Sequence, residues 1–219
     1  MGTTSTRLQT GWESLGGRYH RLDPDGHLVQ VEDFLSAASS DRLLRDMRRS
    51  LDWEQRPIRL FGRQILQPRL TAFHGDADVA YRYSGQTLEA CPWTAALAEI
   101  RDRLQGLVGV RFNSVLCNLY RDGGDSMGWH ADNEPELGLN PTIASVSLGN
   151  ARRFLLKSRR GDERLEFQLG HGSLLVMAGD CQHHWVHQVP KTARAVGTRI
   201  NLTFRTVFPR SDQGHRSDR

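Results

Sequence analysis

Two stretches of the first half carry apolar residues at helical spacing. Leu43, Leu44, Met47 and Leu51 recur every three or four positions behind Ser39, Ser40 and Asp41, which are suited to capping the free N–H groups of a first turn. Trp93, Leu97, Ile100, Leu104 and Leu107 form a second stripe. Two amphipathic helices are therefore predicted. The first thirty residues, rich in Gly, Thr and charge, show little periodicity, as do the last eleven. They are expected to form a partly irregular extension over 1–30 and a flexible tail over 209–219.

Beyond Gly109 the pattern changes to short alternating or β-branched runs broken by Gly, Asp and Pro. These are RFNSVLCNLY, TIASVSLG, RRFLLKSR, RLEFQLG, GSLLVMAG, HHWVHQV and RINLTFRTV. So many short strands at regular spacing call for a sandwich or barrel, and a double-sheet jelly roll closes such a set. The fold class expected is α+β.

With 219 residues the chain fits a single domain with a substantial core. It is 38% hydrophobic and contains no apolar run long enough to cross a membrane. MGTTSTRLQTGWESLGG lacks the apolar segment of a secretory signal, so a cytoplasmic monomer is the expectation. Cys91, Cys117 and Cys181 are scattered without a C-x-x-C pair, which argues against a disulfide framework and a thiolate zinc site. A net charge of +4 permits nucleic-acid binding without demanding it.

Chemistry enters with His130 and Asp132. At i, i+2 on an extended segment their side chains leave the same face and can reach one ion. CQHHWVHQV offers His183, His184 and His187 as a third ligand. Two histidines and one carboxylate leave three open positions, the arrangement of non-haem iron(II) oxygenases. RINLTFR divides into a polar face, Arg199, Asn201, Thr203 and Arg205, and an apolar one, Ile200, Leu202 and Phe204. A guanidinium fork binds carboxylate bidentately, so Arg205 is expected to clamp the distal carboxylate of 2-oxoglutarate. Asn118 and Tyr120 share a face in the strand ending CNLY and could bond the same dicarboxylate.

In order, N-x-Y, W-H-A-D, S-V-S-L-G, H-x-x-H and R-x-N-L-T-F-R resemble the AlkB-like Fe(II)/2-oxoglutarate dioxygenases, strongly over residues 111–207 and upstream through FGR and YRYSG. The resemblance implies a double-stranded β-helix with N-terminal helices packed on one sheet. A catalytic domain over 31–208 would contain nucleotide-recognition hairpins at 55–85 and the jelly-roll core at 110–208. His130, Asp132 and His187 would be the ligands of Fe(2+). Asn118, Tyr120, Arg199, Asn201 and Arg205 would contact 2-oxoglutarate, with Arg205 as the main salt-bridge partner and Arg199 nearer the substrate side or the ligand carboxylate. His184 would sit outside the ligand set, near it or near the nucleic acid.

The family's chemistry is oxidative demethylation of N-alkylated nucleobases such as 1-methyladenine and 3-methylcytosine. It consumes O2 and 2-oxoglutarate and releases succinate, CO2 and formaldehyde. The implied partner is alkylated DNA, single- or double-stranded, or RNA; the alternative is the same metal core acting on RNA, protein or a small molecule. A base in a duplex has to be flipped out, and Tyr81, Tyr83 and His130 are the candidates to hold it. RPIRLFGRQILQPRL resembles a hairpin that enters duplex DNA, with Phe61 as the wedge and Gly62 beside it. Arg56, Arg59, Arg63 and Arg69, and a second run of Arg152, Arg153, Lys157, Arg159 and Arg160, would face phosphates. Asn133 and Glu134 follow Asp132 and would read the base edge.

Overall fold

Alternation within β15 (Arg199–Arg205) joins two packing layers. Ile200, Leu202 and Phe204 point to a core shared with the helices, and Arg199, Asn201, Thr203 and Arg205 point the other way into a cleft. The computed structural model describes residues 16–60, 63–77, 79–83 and 86–208. In chain order the other elements are β1 (Arg18–Leu22), β2 (Gly26–Val31), α1 (Ala37–Ser50), β3 (Pro57–Leu60), β4 (Arg63–Leu66), β5 (Leu70–Gly75), β6 (Ala80–Tyr83) and β7 (Gln86–Glu89). They continue with α2 (Ala95–Val108), β8 (Ser114–Tyr120), β9 (Met127–His130), β10 (Ile143–Gly149), β11 (Arg152–Ser158), β12 (Arg164–Leu169), β13 (Ser173–Gly179), α3 (Cys181–His184) and β14 (Trp185–Val189).

A seven-stranded sheet, ordered β1-β2-β13-β10-β15-β8-β5, faces a four-stranded sheet, β12-β11-β14-β9. The named pairings are antiparallel throughout, as a jelly roll requires. Val115, Cys117 and Leu119 of β8 join Val146, Leu148, Leu174 and Val176 on the outer face of the large sheet, where α1 and α2 cover them. Phe154, Leu156, Phe167, Leu175, Met177 and Trp185 fill the space between the sheets. With both faces of the large sheet covered, its central strands are buried along their whole length.

Local signals explain the helices. Ser36 Oγ accepts the Ser39 N–H at 3.3 Å and starts α1 three residues before the expected cap, so Ser39 and Ser40 lie inside the first turn. Thr94 Oγ1 does the same for α2 through the Leu97 N–H, and Gly109, at φ +71°, ends that helix in the left-handed conformation glycine tolerates. Trp93 precedes the helix and stacks on Phe204 with ring centroids 6.3 Å apart.

All seven strands expected after Gly109 are present. The sixth begins at Trp185, because His183 and His184 donate their N–H groups to the Asp180 carbonyl and close the helical turn α3. Within the extension over 1–30, expected to be partly irregular, β1 and most of β2 form regular strands, and β2 pairs with β13 across six residues. The short run Leu28–Val31 supplied the signal, too brief to weigh against its Gly- and charge-rich surroundings. Of the hairpins expected at 55–85, β3–β4 lies within those bounds and β6–β7 runs past them to Glu89; β5 between them belongs to the large sheet. The expected tail at 209–219 lies outside the described residues. No described helix is long and apolar enough to cross a membrane.

Leu202 is fully buried at the helix–sheet core, and Leu139 is 81% exposed. Leu202→Ala is expected to lower the free energy of urea unfolding by about 2–5 kcal/mol. Leu139→Ala should stay within about 0.5 kcal/mol; equal losses would contradict the core assignment.

Candidate active site

β9 and β14 bring two histidines together because His130 and His187 are direct partners in their antiparallel ladder, with ring centroids 4.2 Å apart. Asp132 lies two residues past the end of β9, and its backbone N–H donates to Gln182 Oε1 at 2.9 Å. One ligand atom from each of His130, Asp132 and His187 lies within 4.8 Å of the others. His187 Nε2 is 3.8 Å from Asp132 Oδ2. His130 Nδ1 is 2.8 Å from the Gly128 carbonyl, to which it can donate, leaving Nε2 with its lone pair for a metal.

Electrostatics keep this trio in its ligating protonation state. Burial alone would raise the Asp132 pKa, but Arg205 and the two imidazoles outweigh it and hold the carboxyl down at about 2. Burial, reinforced by His130, lowers His187 to about 3, and burial also lowers His130. Two neutral imidazoles beside an ionised carboxylate are what a divalent ion needs, since protons otherwise compete for the ligands. The nitrogen and oxygen donors suit Fe(II).

The cleft continues along β15 and β8. Arg205 Nη2 donates to Asp132 Oδ1 at 2.6 Å. Six residues earlier on the same strand, Arg199 is 1% exposed and donates through Nη2 to Ser147 Oγ at 2.9 Å. Its Nε and Nη1 are buried with no hydrogen-bond partner. The Arg199 and Arg152 guanidiniums both lie over the Tyr120 ring, 5.2 and 5.6 Å from its centroid. Burial pulls the Arg199 pKa down to about 10, so the group is still cationic at neutral pH. A buried cation with two idle donors fits an incoming carboxylate, which would supply both the charge and the acceptors. The cleft thus fits both a metal and a dicarboxylate.

Of the residues singled out in the sequence, Asn118, Tyr120, Arg199, Asn201 and Arg205 all line the cleft with the three metal-ligand candidates. Arg205 grips the ligand carboxylate, the partner the resemblance allowed to Arg199, while Arg199 lies farther along the cleft on Ser147. Asn201 Nδ2 donates to Ser145 Oγ, and Asn118 Oδ1 accepts from Arg69 Nε at 2.7 Å. Arg69, expected on phosphates, is instead buried against the cleft residue Asn118. Arg152 is likewise buried and donates to the carbonyls of Asp122, Asp125 and Pro190, and Arg153 pairs with Glu166. Asn133 is exposed and Glu134 half-buried beside Asp132. Tyr81 and Tyr83 lie on β6, with side chains outside the described residues, as are Phe61 and Gly62 altogether. Gln182 and Ser147 were not singled out from the sequence, since their roles depend on contacts 50 and 52 residues away.

Residues 27–205 match the 2OG-Fe(II) oxygenase superfamily. The chain is 40% identical over 200 residues to the human alpha-ketoglutarate-dependent dioxygenase alkB homolog 3, covering 86% of this chain and 69% of that protein. It is 38% identical over 202 residues to the mouse DNA oxidative demethylase ALKBH2, covering 87% and 84% respectively. The solved structure of OsALKBH1 shares the fold, with a TM-score of 0.62 at 16% identity over 86% of this chain and all of that one. The metal trio, the arginine-lined cleft and these similarities agree: the chain belongs to the AlkB-like 2OG-Fe(II) oxygenases, dioxygenases that work with Fe(II), 2-oxoglutarate and O2.

Proposed function

We propose that the protein removes N-alkyl groups from nucleobases in DNA by oxidation, with lesions of the 1-methyladenine and 3-methylcytosine type as substrates. The observation that carries this reading is a cleft with a metal-ligand trio at one end and a buried arginine with two unpartnered donors at the other, in a chain whose relatives include a DNA oxidative demethylase. Bound iron supplies the coupling of O2 reduction to oxidation of the N-alkyl carbon, 2-oxoglutarate leaving as succinate and CO2. The hydroxylated alkyl group then departs from the base nitrogen as formaldehyde.

The chain's own residues orient the reactants. Arg199 takes the distal carboxylate of 2-oxoglutarate as a fork, and Tyr120, Asn118 and Asn201 bound its carbon chain. Arg205 holds the Asp132 carboxylate ionised and aimed at the metal. Asn133 and Glu134 stand beside Asp132 where a flipped base would present its edge, with Tyr81, Tyr83 and His130 as its stacking partners. The β3–β4 hairpin supports a nucleic-acid substrate. Ile65 and Leu66 are exposed at 40% and 59%, and Arg69, three residues on, reaches Asn118 in the cleft wall. Two exposed apolar side chains on one strand suit a partner surface, and Phe61, which lies between β3 and β4 in the sequence, is the wedge.

The direct test combines the Fe(II)-loaded protein, 2-oxoglutarate and O2 with oligonucleotides carrying 1-methyladenine or 3-methylcytosine. Succinate and formaldehyde should appear in equal amounts and only with the methylated DNA. Formaldehyde from methylated RNA but not DNA would move the substrate to RNA, and succinate without formaldehyde from either would reject nucleobase demethylation. Arg199→Lys should raise the KM for 2-oxoglutarate about tenfold or more with kcat little changed, as loss of a charge-assisted fork predicts. An unchanged KM would put the clamp elsewhere. Phe61→Ala should slow repair of duplex more than of single strands; equal losses would remove the wedge.

A further inference from the structure

The two segments that carry metal ligands are linked through α3. On one side Asp132 opens the segment that runs to Asn140; on the other, His187 follows α3 by three residues. Three side-chain contacts cross between them. Asn140 Nδ2 donates to Asp180 Oδ1 at 2.7 Å, and the His183 ring meets the Leu139 carbonyl and Asn140 Oδ1. Both of these contacts are at the surface, where water can replace them.

The third contact is sealed. Gln182 is fully buried, its Oε1 accepts the Asp132 N–H at 2.9 Å, and its Nε2 reaches Met177 Sδ at 3.6 Å. A glutamine amide is costly to bury unless its oxygen and nitrogen find partners, and here the oxygen is spent on the backbone of a metal-ligand residue. We infer that Gln182 is a positioning residue for the metal centre, fixing the Asp132 main chain so that its carboxylate meets Arg205 and the His130–His187 pair at one point. Arg205 holds one oxygen of that carboxylate from the β15 side, and Gln182 holds its backbone from the α3 side. With both in place the carboxylate's direction is set before a metal arrives.

This inference rests on Asp132 being a metal ligand. The test is titration of the metal-free full-length protein with Co(II), followed by its visible absorption. Gln182→Met keeps the volume and removes the acceptor; Gln182→Asn keeps an amide one methylene too short to reach the Asp132 N–H. Partners outside the ligand set are worth about 10–100-fold in metal affinity, so both variants should weaken Co(II) binding by about tenfold or more and alter its spectrum. Asn140→Ala, which removes only the surface contact, should bind as the wild type does. In folded variants, wild-type affinity and spectrum would overturn the inference. So would loss of fold in both, which would make Gln182 a residue of folding alone. A wild-type protein that fails to bind Co(II) would instead overturn the metal role of Asp132.

Discussion

The Asp132 carboxylate, 2% exposed and ionised between Arg205 and two imidazoles, is the constraint around which this molecule is arranged. Two charges out of water cost several kcal/mol each, and the pair is tolerable only with short contacts and satisfied neighbours. The 2.6 Å bond from Arg205 provides the first, and the Gln182 contact to the Asp132 N–H contributes to the second. Removing one member of such a pair leaves an uncompensated buried charge, a loss of about 3–5 kcal/mol. The two sheets have to meet at a fixed spacing for the bond to form, since Arg205 belongs to the large sheet and Asp132 follows a strand of the small one.

The same strand that supplies Arg205 supplies Arg199 at its other end, and this ties the metal trio to the far, arginine-lined part of the cleft. Arg205 is already neutralised by Asp132, whereas Arg199 keeps two buried donors without acceptors. A diacid whose far carboxylate met Arg199 would satisfy those donors with its keto acid turned toward the metal trio. Under the proposed arrangement, binding energy from the remote carboxylate would orient the reacting end. Ser147, Tyr120 and Arg152 hold the Arg199 region rigid, so little ordering is left for the moment of binding.

The features legible in the sequence are those set by strand periodicity. In RINLTFR, period-two alternation alone separates cleft residues from core residues, and the structure keeps that division. His130 and Asp132 are read the same way, from their shared face. Choosing among His183, His184 and His187 needed more than spacing, because α3 interrupts the strand and turns His183 to the Leu139 carbonyl. That Arg205, and not Arg199, meets Asp132 is not legible, since it depends on which end of β15 approaches Asp132 across the gap between sheets. Arg69 and Arg152 read as surface cations, and only the fold shows that their heads are buried on Asn118 and on loop carbonyls. Gln182 carries no pattern at all: its acceptor acts on a residue 50 positions away.

The central claim is that metal and dicarboxylate share one cleft, held by the two ends of a single strand. The most direct measurement is the affinity of the protein for 2-oxoglutarate by calorimetry, with and without Mn(II), in the absence of any nucleic acid. The account predicts that Mn(II) tightens binding by about tenfold or more, the worth of one added charge-assisted contact. Equal affinity with and without the metal would contradict it, because the dicarboxylate would then be bound away from Asp132.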